Sequence, residues 1–85
     1  MNHSNTPINQ HSLKSLESWL ENLGAHKDIE NPSMWHLKLS SWEATIHFEQ
    51  EDLSVIWNCD SCLTKRLFSY CINLRDVENA ILQGP

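Results

Sequence analysis

The sequence predicts an α+β domain: an N-terminal helix, an antiparallel β-meander of three to five strands and a short C-terminal helix, with the helices on one sheet face. Three observations carry this expectation. Residues 12–23 place apolar side chains at three- and four-residue spacing, residues 34–58 alternate with a period of two, and residues 74–81 return to helical spacing. The chain has 85 residues, enough for one small domain that buries about 60% of its unfolded surface. Hydrophobic residues make up 40% and charged residues 20%, with four Trp against two Gly, a balance suited to a folded domain.

Residues 1–11 are rich in Asn, His and Ser and lack periodicity, so they are expected to form a flexible tail, with Pro7 marking where order begins. Residues 12–85 then form the single domain. In the first helix Leu13, Leu16, Leu20 and Leu23, joined by Trp19, share one stripe, while Lys14, Glu17, Glu21 and Asn22 take the other face. Ser12 suits the N-cap and Gly24 the residue after the last turn, where a left-handed conformation is needed. A short strand is expected around His26–Ile29.

The segment Leu39-Ser40-Ser41-Trp42 predicts a hairpin turning on the two serines. That register sets Leu37 opposite Ala44 and Trp35 opposite Ile46 on one face, and Lys38 against Glu43 on the other. A second turn at Gln50-Glu51 pairs Phe48 with Leu53, Ile46 with Val55 and Ala44 with Trp57. Three strands then agree on a single apolar face, and a one-residue slip in any of them would destroy it. A fourth strand is expected over 63–71, where Leu67, Phe68 and Tyr70 are apolar on both parities and leave the register open. Asn73 and Asp76 resemble a capping box opening the last helix, whose stripe is Leu74, Val77, Ala80 and Ile81.

Charge excludes several functions. Six basic residues face eleven acidic ones, for a net charge of −5, and Lys65-Arg66 is the only adjacent basic pair. Binding to nucleic acid or to an anionic membrane surface needs clustered basic side chains that are missing here. No run approaches the ~20 apolar residues of a membrane span, and the polar start does not resemble a signal peptide. The chain is expected to be cytoplasmic, with its three cysteines mostly reduced.

The sharpest local motif is Cys59-Asp60-Ser61-Cys62. Two thiolates at this spacing can grip a metal, but the further donors are Cys71, His36 and His47, and the register puts both histidines on the outer sheet face. A redox pair of the thioredoxin type needs a helix N-terminus, whereas this motif falls between strands. The simplest reading is a turn at Asp60-Ser61 flanked by cysteines. Met1-Asn2-His3 offers the amine, amides and imidazole that suit square-planar copper(II) or nickel(II). Glu49, Glu51 and Asp52 crowd a hairpin, Glu17 and Glu21 lie on an exposed helix face, and Gly24 and Gly84 alone cannot build a phosphate loop. Neither catalysis nor a cofactor is expected. Trp19, Trp35, Trp42 and Trp57 align with the core, which leaves the outer face for a partner, with Met34, His36, His47 and Ile56 as candidate contacts, or an edge strand for strand addition.

Several anchors also resemble a known family. His11-Ser12-Leu13 opens the first helix, Trp19-Leu20 and Leu23-Gly24 lie within and after it, and Trp35 follows. Further on stand Trp42-Glu43-Ala44, Phe68-Ser69-Tyr70, Arg75-Asp76-Val77-Glu78 and Gly84-Pro85. In their order and spacing, from Thr6 to Pro85, these resemble the uncharacterised domain-of-unknown-function family 3143 of cyanobacteria and plastids. The resemblance implies lineage and a soluble compartment, with no reaction attached; Cys59 and Cys62 stand outside its pattern. The expected function is a non-enzymatic module that binds an unidentified protein, with a metal-binding or thiol-redox protein using Cys59 and Cys62 as the alternative.

Overall fold

A computed structural model describes residues 6–39 and 41–85. The chain runs through a short 3-10 turn (Ile8–Gln10), α1 (Leu13–Leu23), β1 (His26–Lys27), β2 (Met34–Lys38), β3 (Glu43–Phe48), β4 (Asp52–Cys59), β5 (Cys62–Ser69) and α2 (Leu74–Gln83). The strands form one open antiparallel sheet in the order β1-β2-β3-β4-β5. This is the α+β arrangement that the periodicities predict. No helix among the described residues is long and apolar enough to cross a membrane.

Helix α1 starts where Ser12 Oγ accepts the Ser15 N–H at 3.0 Å. It stops at Gly24, whose φ of 99° lets its N–H reach Glu21 and the next N–H, from Ala25, reach Leu20, each at 3.0 Å. Those two bonds satisfy carbonyls that the helix end would leave open. Its Leu16 and Leu20 enter the core with Leu74, Val77 and Ile81 of α2, against Trp35, Leu37, Ala44, Ile46, Leu53, Val55 and Trp57 of the sheet. Trp57 Nε1 donates to the Ile81 carbonyl at 3.2 Å, and Trp19 Nε1 to Glu78 Oε1 at 2.8 Å, fixing α2 to the sheet and α1 to α2. The pairs Leu37–Ala44, Trp35–Ile46, Lys38–Glu43, Ile46–Val55 and Ala44–Trp57 fall in the expected register. Leu39 N–H bonds the Trp42 carbonyl at 2.9 Å to close the first hairpin, of whose two turn serines Ser40 lies outside the described residues.

The structure corrects the sequence reading at several points. Residues 1–5 of the expected tail lie outside the described residues, but from Thr6 the chain is built into the fold. Ile8 and Asn9 donate main-chain bonds to Ile72 and Tyr70, Leu74 donates to Thr6, and the Ile8 side chain is 1% exposed. A polar neighbourhood conceals a core residue because only one side chain of the turn points inward. Leu13 is exposed although it lies on the α1 stripe, since the first turn overhangs an open groove lined by Pro32, Trp35 and Phe48. Trp19 and Trp42 are only half-buried where they pack against the core. The first strand is limited to His26–Lys27 because Asp28 Oδ2 accepts the Glu30 and Asn31 N–H groups and turns the chain, leaving Ile29 in solvent. The fourth long strand runs Cys62–Ser69, with Tyr70 and Cys71 beyond it, and Asn73 caps α2 with no side-chain bond.

Candidate functional site

The sheet has one covered and one uncovered face, and its two edges differ. Edge strand β1 has two residues, whereas β5 has eight and, among the described residues, pairs only with β4. Register in β5 is set by the turn at Asp60-Ser61: Cys59 faces Cys62, so Leu63 faces Asn58, Lys65 faces Ile56, and Leu67 faces Ser54. Side chains alternate along a strand, so Leu63, Lys65 and Leu67 share the outer face with Ile56, and Arg66 and Phe68 take the inner one. Phe68 is buried; Arg66 stays exposed, its guanidinium 4.8 Å from the Phe68 ring centre.

On this outer face the cross-strand rows read Met34–His47–Ser54–Leu67 and His36–Thr45–Ile56–Lys65. The structure therefore brings the candidate contacts Met34, His36, His47 and Ile56 to one surface. His36 Nε2 lies 2.8 Å from Asp28 Oδ1, and this bond, followed by the Asn31 and Glu30 N–H groups, holds the Asp28 carboxyl below its usual range. His47 Nδ1 lies 3.5 Å from Glu49 Oε2. Between His47 and Leu67, Ser54 is 1% exposed and its Oγ has no hydrogen-bond partner among the described residues. Hydroxyl burial on the uncovered face shows how closely the neighbouring side chains roof the sheet there.

Two apolar residues of this surface were missed in the sequence reading: Leu63 is 67% and Leu67 55% exposed. The signal that could have found them was present. The turn at Asp60-Ser61, extended as a two-residue hairpin, fixes every later pair of β5.

The cysteines separate into two places. Cys59 and Cys62 form a disulfide across the turn, with Cα atoms 5.3 Å apart, inside the range such a bridge requires. This corrects the expectation of free thiols: hairpin pairing itself brings the two sulfur atoms together. Cys71 is an exposed free thiol beyond the other end of β5, roughly 23 Å of strand away, and contacts Asn9 Nδ2 at 3.8 Å. It cannot join the pair. Among the described residues no three His, Cys, Asp or Glu side chains are placed to hold one metal ion, and Met1-Asn2-His3 lies outside those residues. His11 Nε2 meets Thr6 Oγ1 at 2.7 Å and so packs the entry to α1.

One open concavity of about 480 Å³ sits between the β2–β3 and β4–β5 hairpin ends, against Lys38, Trp42, Glu43 and Asp60. Others of about 210 and 200 Å³ lie beside His26 and His36, and in the groove under Leu13. Acidic residues are dispersed. Glu17 pairs with Lys27 at 2.7 Å, and the main-chain carbonyls of Glu49 and Asp52 receive the Tyr70 hydroxyl at 2.5 and 3.0 Å.

Residues 23–84 match the family described as Protein of unknown function (DUF3143). No curated protein and no solved structure matches the chain.

Proposed function

We propose, for a chain that belongs to the DUF3143 family of proteins of unknown function, a non-catalytic role as an interaction module that docks a protein partner along strand β5. The observation that carries the reading is the contrast between the two sheet edges. A long strand with unpaired main-chain groups is a template for a further strand, and sheets usually blunt such an edge or use it. Here β1 is cut to two residues, while β5 keeps eight and carries exposed leucines at positions 63 and 67. Main-chain pairing would supply affinity and the outer face, including Met34, His36, His47 and Ile56, would supply specificity. The setting is the cytoplasm of a cell of cyanobacterial or plastid type, as the family resemblance suggests.

The test is affinity capture from an extract of the source cell, with the wild-type chain and a Leu63→Lys/Leu67→Lys variant side by side. Both leucines are solvent-exposed, so the variant should fold. Proteins retained by the wild type and lost by the variant support the reading. Identical recoveries from the two baits would overturn it.

A second reading is favoured by the Cys59–Cys62 bridge and the exposure of Cys62: a thiol–disulfide exchange protein. The bridge would accept two electrons and two protons from a protein dithiol, which becomes a disulfide while Cys59 and Cys62 become thiols. Thiol trapping after equilibration in glutathione buffers tests it; a bridge that stays oxidised at a cytosolic poise would rule exchange out.

A further inference from the structure

Resting on the docking role of β5, we infer that its partner is an extended acidic segment, two consecutive carboxylate residues with an apolar residue directly before them and another two places after, added antiparallel to β5. The middle of the edge is basic in a chain of net charge −5: Lys65 and Arg66 are its only adjacent cations. Both are exposed, and among the described residues neither has a carboxylate within ion-pair distance, whereas Lys27 is held by Glu17. Because neighbouring side chains point to opposite faces, Lys65 offers its charge on the outer face and Arg66 on the inner one. A strand lying against them meets both cations only if it carries two acids in a row. Leu67 then stands opposite the position just before the two acids and Leu63 opposite the second position after them, both on the outer face, where exposed apolar surface is buried on pairing.

Reading along the added strand, the residues facing Leu67, Arg66, Lys65, Thr64 and Leu63 are therefore apolar, acidic, acidic, polar and apolar. A second copy of this chain does not fit as well. Pairing β5 with itself about its centre would oppose Lys65 to Lys65 or Arg66 to Arg66, and like charges directly across a sheet repel. The order Lys65-Arg66 on opposite faces also distinguishes this surface from a nucleic-acid site, which would gather its cations on one side.

The test uses the whole chain and two capped synthetic peptides, Thr-Val-Glu-Glu-Thr-Val-Thr and its Lys-Lys counterpart, titrated while the amide resonances of β5 are followed. The expected result is perturbation of Leu63–Ser69 amides, with the Glu-Glu peptide binding about tenfold more tightly than the Lys-Lys peptide at low salt. Added salt should narrow that ratio. A Lys65→Glu/Arg66→Glu variant should invert the preference, and its unchanged spectrum away from β5 would show that it folds. Equal binding of the two peptides at β5 would overturn the acidic partner and leave the edge reading standing. Perturbation of neither peptide at β5 would overturn the acidic partner, and the docking role would then be decided by the leucine-variant capture alone.

Discussion

Substituting Ile8 with Ala measures whether the segment before α1 belongs to the folding unit. The side chain is 1% exposed and belongs to the same cluster as Leu20 and Val77, and the main chain around it is bonded to Tyr70 and Ile72. Removing its γ- and δ-carbons loses their transfer free energy and leaves a cavity, together about 2–4 kcal/mol. A domain of this length has a total stability of about 4–13 kcal/mol, so the loss is a large share of it. The melting temperature should fall by roughly 10–25 °C. Urea unfolding followed by tryptophan fluorescence is the assay, since Trp35 and Trp57 are fully enclosed. Ile29→Ala is the matched control: that side chain is entirely in solvent and its loss should cost less than about 0.5 kcal/mol. If Ile8→Ala changed stability no more than the control, the docking of residues 6–11 would be refuted. The result also bears on where the domain starts. The family match begins at residue 23, yet Ile8, Leu16 and Leu20 fill the core from before it.

Further outcomes follow from single groups. Reduction of the Cys59–Cys62 bridge, which closes a very short loop, should cost at most about 2 kcal/mol and lower the melting temperature of the wild type but not of a Cys59→Ser/Cys62→Ser variant. Ser54→Ala removes a buried hydroxyl that has no partner among the described residues, so its stability in urea should be unchanged or higher by up to about 1 kcal/mol. The Asp28 carboxyl titrates below its ordinary 3.8 because of His36 and two N–H groups, so its stabilisation is present above that pH and lost as the pH falls through the folded value. Asp28→Asn should therefore flatten the acid limb of the stability profile measured by urea unfolding. Tyr70 behaves in the opposite sense: burial, then the charges of Glu49 and Asp52, raise its phenol above 10.0. Its stabilisation is present below pH 10.0 and disappears as the pH rises through the folded value, so Tyr70→Phe should flatten the alkaline limb.

The candidate site was only partly legible in the chain. Met34, His36, His47 and Ile56 could be put on one face because the hairpin around Ser41 and the turn at Gln50-Glu51 fix two registers through apolar pairs. Strand β5 has one such core pair among the described residues, Leu53–Phe68, too few to show its register. Leu63, Leu67, Phe68 and Tyr70 occupy both parities, and a strand that is buried at one position and exposed at the next resembles one buried on both faces. The partners of His36 and His47 were equally hidden, since Asp28 and Glu49 come from turns whose geometry is local and not periodic. Cys59 and Cys62 were visible as a motif flanking the turn at Asp60-Ser61, whose pairing sets them directly across from each other, but the chain alone did not show that they are bridged.

Alternation and helical spacing by themselves determined the α+β class, the two registers that join three strands of the core and the ends of α1, because repeated burial imposes a period on the amino acids and caps impose their own chemistry. Only the tertiary structure decided that Ile8 is a core residue, that Leu13 overhangs a groove, and that β5 lies at an open edge with Lys65 and Arg66 on opposite faces. Those outcomes depend on what stands across from each side chain. A period along one segment says which way a residue points, and the packing of distant segments says what it meets there.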